Sequence, residues 1–188
     1  MTADALGNTP RVAGTNYVPI TPEIKAKGAS FMDGMVERLS AALKAKRMSA
    51  SSPDAAKSEA TPVSACRDTL HGDFAPNDGF NHCDSWVNCL FCTQCAITGE
   101  EDDLWRLFSF RDFAKNDLHR LVQRHGEGPS GDARTDLLKV QYRLIIPFIG
   151  SFARANFVDR VVHRAERRAL AEPHPFWVYQ EELAGLRR

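Results

Sequence analysis

The residues of this chain best suited to chemistry are its five cysteines. Cys66, Cys83, Cys89, Cys92 and Cys95 all fall within one stretch of thirty residues, and the rest of the chain has none. The last four read C-x5-C-x2-C-x2-C. A C-x2-C turn presents two thiolates to one ion, and a tetrahedral zinc site needs a second such pair. Cys89 and Cys92 form the knuckle, and Cys66 and Cys83 are the natural partners. Gly72, Pro76, Asn77, Asp78 and Gly79 make a loop between them that can fold back. The expectation is a structural zinc held by Cys66, Cys83, Cys89 and Cys92. Cys95 is left over, in the approach to a helix, as the candidate for a reactive thiol. His71 or His82 could substitute as a ligand. Four thiolates close the coordination sphere, so such a site is structural, not catalytic. The stretch has few aliphatics of its own, and a metal supplies the order that burial does not. The competing reading, unrelated buried or surface cysteines, is disfavoured by the clustering.

Composition sets the frame. The 188 residues carry 24 Lys plus Arg against 24 Asp plus Glu, so the net charge is zero. That excludes a globally basic nucleic-acid binder but leaves room for a local basic face. The longest apolar run, Leu144 to Ile149, is broken by Pro147; a bilayer span needs roughly 20 residues. Met1 to Pro10 shows no charged leader followed by an apolar stretch. The expectation is a cytoplasmic protein without membrane contact. In a reducing compartment clustered cysteines bind metal more readily than they form disulfides.

The elements that position the cysteines follow from the apolar pattern, and the chain reads as mainly α. Residues 48–65 (MSASSPDAAKSEATPVSA) are rich in Ser, Ala and Pro and read as a linker between pieces 1–47 and 66–188. In the first piece, Thr21-Pro22-Glu23 starts a helix that runs to about Arg47, with Ile24, Phe31, Met35, Leu39 and Leu43 on one face. In the second, a helix is predicted from about Asp102 to His125, with the acids of Glu100 to Asp103 at its positive end. The turn Gly126 to Gly131 follows. Asp132 then caps one long helix to about Ala171, kinked at Pro147. Trp105 and Phe108 are expected in the core, and Trp86 and Phe91 over the knuckle. His119, His125 and His163 are expected at the surface or in packing.

Two segments resemble one family. Leu6 to Tyr17 (LGNTPRVAGTNY) resembles the last active-site segment of the tyrosine recombinase (phage integrase) family, where a Leu-Gly-His turn precedes the catalytic tyrosine. The resemblance implies Tyr17 as nucleophile. Asn8, standing in for His, would contact a phosphate by a hydrogen bond without carrying charge. Further on, Cys66-Arg67-Asp68, Cys83, the cysteines through Cys92, and then Asp103-Leu104-Trp105-Arg106-Leu107-Phe108-Ser109-Phe110 resemble the C-terminal extension of a subgroup of bacterial integrases. Cys95 is extra to that pattern. The implied architecture is the C-terminal end of an integrase catalytic domain, a linker, a zinc-stabilised irregular module and a helical hairpin.

The implied function is DNA integration or site-specific recombination. A tyrosine oxygen attacks a DNA phosphodiester, and cationic donors stabilise the transferring phosphate. The family also needs two arginines, a lysine and a His-x-x-Arg segment upstream of the Leu-Gly turn, and only five residues precede Leu6. The expectation is therefore a C-terminal part that does not catalyse alone. Its partners would be DNA, gripped by upstream domains, and other recombinase protomers. The alternative is a non-catalytic, zinc-stabilised helical interaction module. Arg154, Arg160, Arg164, Arg167 and Arg168 could form a DNA-facing stripe, or a solvated outer face broken by Asp159, Glu166 and Glu172. No basic recognition helix adjoins the cysteines, which disfavours a zinc-finger-like regulator that reads DNA bases.

Overall fold

A computed structural model describes residues 57–185, Pro129 excepted, together with Glu37. The chain divides into two compact units, Met1–Leu39 and Ser40–Arg188, and the architecture below belongs to the second. Asn8, Tyr17, the helix expected over 21–47 and residues 48–56 lie outside the described residues, save that Glu37 is helical.

The unit is mainly α. Three two-residue strands come first: β1 (Glu59–Ala60), β2 (Ala65–Cys66) and β3 (Cys95–Ala96). They form an antiparallel sheet in that order, with Ala65 opposite Ala96 and Cys66 opposite Cys95. A 3-10 helix, Trp86–Phe91, lies between β2 and β3. Four α-helices follow: α1 (Glu101–His125), α2 (Ala133–Asn156), α3 (Asp159–Ala171) and α4 (Pro175–Leu183). The tail of the expected linker is part of this unit. Thr61, Val63, Ser64 and Ala65 are buried beside the sheet.

Helix α1 is the axis of the unit, and α2, α3 and α4 all pack on it. It begins with Glu101, Asp102 and Asp103, which suit the positive end of the helix dipole. It ends at Gly126, whose φ of 73° permits the reversal that a side chain disfavours. Leu104, Leu107, Phe108, Phe110, Phe113 and Ala114 are all buried. That is more than one stripe, as a helix covered on several sides requires.

The single helix expected from Asp132 to Ala171 is divided at Phe157–Val158, and α2 runs on through Pro147. The start is as expected, with Asp132 accepting the backbone N–H groups of Arg134 and Thr135. The break is marked by a local hydrogen bond. Asn156 donates its side-chain amide to the Phe152 carbonyl at 2.9 Å, and Phe157 turns extended. The Phe157 ring then covers Gly99, where a Cβ would lie 2.2 Å from it.

Helix α4 was not foreseen from the apolar pattern. It starts with Pro175 at its first position, and His174 Nδ1 accepts the Phe176 N–H at 3.3 Å. Its anchor is Trp177, buried against Phe110 and Phe113 with ring centroids 4.8 Å away in each case. The Trp177 indole N–H donates to the Pro62 carbonyl at 2.8 Å. The expected helical hairpin is thus a four-helix group fastened at its end to the sheet segment. Among the described residues no helix is long and apolar enough to cross a membrane.

Candidate metal centre

The sheet and the 3-10 helix bring all five cysteines to one cavity. Cys66 on β2 and Cys95 on β3 are direct cross-strand partners, so their side chains leave the same face of the sheet. Cys89 lies in the 3-10 helix and Cys92 just after it, with the Cys92 N–H donating to the Cys89 carbonyl at 3.0 Å. Cys83 is drawn in from the long loop by its N–H, which donates to the Thr69 carbonyl at 2.8 Å. The five side chains line a cavity of about 20 Å³, together with Thr61, Ala65, Phe74, Ser85 and Trp86. That volume is comparable to the space one water-sized sphere requires.

The donor chemistry suits a soft cation. Among the described residues no Lys, Arg or His belongs to the lining, so no cation in the cavity wall neutralises thiolates there. Burial pushes the Cys66 and Cys89 thiols up from their ordinary values, and neighbouring thiols add to the effect. Without a cation these groups hold their protons; a coordinated metal is what deprotonates a buried thiol. Gly72 also belongs to this design. A Cβ there would stand 3.3 Å from Cys92 Sγ, so the absence of a side chain leaves that sulfur its room. The five thiols surround the cavity without closing on its centre. Among the described residues, no three His, Cys, Asp or Glu side chains stand in metal-holding geometry.

The set differs from the sequence expectation in one member. Cys66, Cys83, Cys89 and Cys92 are brought together, and Cys95, left outside that set, is the most buried of the five at 3% exposure. The alternating pattern of so short a strand carries too little signal to reveal its pairing. The histidines are engaged elsewhere. His82 Nδ1 lies 2.6 Å from the Thr69 hydroxyl, and His71 is held by Asp68 at 3.0 Å. Trp86 covers the cavity as expected, but Phe74 rather than Phe91 joins it.

A buried carboxylate connects this module to the helices. Asp103, 2% exposed at the start of α1, accepts the Thr98 N–H at 2.6 Å and the Thr98 hydroxyl at 2.9 Å. It also pairs with Arg106 at 3.3 Å. Ser64 Oγ lies 2.8 Å from Asp103 and 2.7 Å from the Ala96 carbonyl, so its one proton serves one of the two. The role was missed as a tie, although Thr98 followed by a run of acids is a recognisable helix-start signal.

The arginines sort into two sets. Arg111 bridges α1 to α3 through Glu166 at 2.6 Å, and Arg154 approaches the same carboxylate at 3.8 Å. Arg168 pairs with Asp102 and covers the Trp105 ring, 4.1 Å from its centroid. Arg164 pairs with Glu101 at 3.0 Å. Arg160, His163, Arg164 and Arg167 line an open cleft of about 600 Å³ on the outer side of α3. A second groove, about 740 Å³, runs between the 3-10 helix, α2 and α4, with Trp86, Phe113, Phe176 and Trp177 among its lining residues. Neither lining pairs a nucleophile with a base. The proposed catalytic residues Tyr17 and Asn8 lie outside the described residues. Comparison of the chain with family models, with curated proteins and with solved structures finds no match.

Proposed function

We propose that residues 59–185 form a non-catalytic, zinc-stabilised helical interaction module. The observation that carries this reading is the convergence of five thiols on one cavity with no cationic side chain in its wall. The zinc is held by four of the five and does no chemistry on a substrate. It replaces the apolar packing that 66–95 lacks, and so holds the sheet against α1. Metal analysis of the reduced, chelator-free chain tests it. About one zinc per chain is expected. Removal by a strong chelator is expected to unfold the cysteine module. Metal-free protein with an unchanged melting curve overturns the reading.

We further propose that this module serves a DNA-recombining protein of the tyrosine recombinase type, with Tyr17 as nucleophile and Asn8 as phosphate contact in the assembled enzyme. Two observations favour it. Asp103, which opens the resembling helix start, is tied to Ser64 and Thr98, the residues that flank the cysteine stretch. The outer face of α3 also offers a row of cations to a phosphate backbone, with Arg160 and Arg167 paired to no acid among the described residues. The Arg160→Gln, Arg167→Gln double variant should weaken duplex DNA binding and lower its salt slope by about two. Equal binding and slope in variant and parent refute the contact. Tyr17→Phe should abolish covalent DNA attachment by the assembled enzyme, and undiminished attachment refutes the role of Tyr17.

A further inference from the structure

We propose that Cys66 and Cys95 are a cross-strand redox pair, which a peroxide closes into a disulfide with release of the metal. The release rests on the metal reading above; the pairing rests on the sheet alone. Tetrahedral zinc takes four thiolates, and five surround the cavity. The surplus is not evenly placed. Cys66 and Cys95 face each other across β2 and β3. In the next register pair, the Arg67 N–H donates to the Gln94 carbonyl at 2.9 Å. That bond makes Cys66 and Cys95 a non-hydrogen-bonded pair, whose Cα atoms in an antiparallel ladder lie about 4.5 Å apart. A disulfide accepts Cα separations of about 4.4–6.8 Å. The strands thus hold these two sulfurs on one face, at a spacing that needs no backbone movement.

Access favours one order of events. Cys95 is buried and Cys66 is half-buried, so the oxidant reaches Cys66 first. The Cys66 sulfur attacks one oxygen of hydrogen peroxide, the O–O bond breaks, and one water leaves with a sulfenic acid left on Cys66. The Cys95 sulfur then displaces that hydroxyl, which leaves as the second water. Two thiols and one peroxide give one disulfide and two waters, a two-electron oxidation of sulfur. Of the five cysteines only Cys83, Cys89 and Cys92 then keep thiols, one fewer than a closed zinc site needs.

The experiment uses the full reduced chain loaded with zinc. Hydrogen peroxide is added in steps, liberated zinc is followed with a colorimetric chelator, and disulfides are mapped by peptide mass spectrometry without reduction. The first disulfide is expected to join Cys66 and Cys95, in step with zinc release. Cys95→Ser keeps four thiols at the cavity and should bind one zinc yet release it at least tenfold more slowly. A first disulfide joining any other pair overturns the proposal, as does wild-type release from Cys95→Ser. If that variant does not fold, the wild-type map decides alone. A Cys66–Cys95 disulfide formed in protein that never bound zinc sinks the metal reading and leaves the pair. A zinc-loaded chain that forms no such disulfide sinks the pair and leaves the metal.

Discussion

Asp103 offers a direct measure of how firmly the cysteine module is joined to the helices. Its carboxylate is buried and takes the Thr98 N–H, the Thr98 hydroxyl and the Arg106 guanidinium, with Ser64 Oγ at 2.8 Å. Replacement by alanine removes the acceptor from all of them at once. Ser64 retains the Ala96 carbonyl, at 2.7 Å, and Thr98 is half-buried, so water reaches part of the vacated space. Arg106 has less recourse, since its side chain is only 17% exposed and its Nε is already buried without a partner among the described residues. Breaking a buried pair on one side costs about 3–5 kcal/mol, and about 4 kcal/mol is the expected loss for Asp103→Ala. With a urea dependence of about 2 kcal/mol per molar, the unfolding midpoint should fall by about 2 M. Asp103→Asn keeps one acceptor oxygen but turns an amide towards the remaining donors, and about half that shift is expected. Amide exchange at Ile97 and Thr98 should accelerate in both variants. A midpoint that moves by less than about 0.5 M in Asp103→Ala refutes the assignment of Asp103 as the tie.

Gly99→Ala should destabilise the unit by about 3 kcal/mol or more, because the position has a φ of +79° and a Cβ would meet the Phe157 ring at 2.2 Å. Phe157→Ala in the same chain should recover the steric part, so strictly additive melting shifts would count against the contact. His174 gives a pH dependence. Burial first, and the Arg106 charge second, hold its ring below the usual histidine value. The neutral ring accepts the Phe176 N–H and lies 5.0 Å from the Trp105 ring, while the His174 backbone N–H is held by the Ser109 hydroxyl. Its folded pKa being depressed, the unfolded chain binds the proton first. The contribution of His174 is therefore whole above a pH of about 6.5 and declines as pH falls through that value towards the folded one. His174→Asn keeps a cap and should shrink the drop in melting temperature between pH 7.5 and 5.5; an unchanged drop refutes this.

Much of the helical part was legible because it depends on local signals. The acids before Leu104, the capping Asp132 and the glycine-rich turn act within a few residues of themselves, so α1 and the start of α2 lie close to where the pattern puts them. The break at Phe157 was hidden, because its cause is a distant one: a ring that covers Gly99. Helix α4 was hidden too, since its apolar residues answer to Phe110 and Phe113 rather than to a repeat. Among the cysteines, spacing brings four together in the sequence, and all five line one cavity in the structure. The fifth depended on a two-residue strand, and strands that short have no period to read.

The hydrogen bond from Trp177 to Pro62 joins residues 115 positions apart. It sets an order during synthesis on the ribosome. The sheet and all five cysteines are made before the helix that seals their neighbourhood. At about 5–20 residues per second, the interval between Pro62 and Trp177 is about 6–23 s. Through that interval Phe110 and Phe113 wait without their indole partner, and the thiols are open to whatever the surroundings offer first. Ion capture early in this window would pre-shape the sheet for α1, whereas oxidation in the same window would trap a chain that cannot be filled afterwards. If the cavity holds zinc as proposed, the order in which the unit closes makes its fate sensitive to metal supply during translation as well as after it.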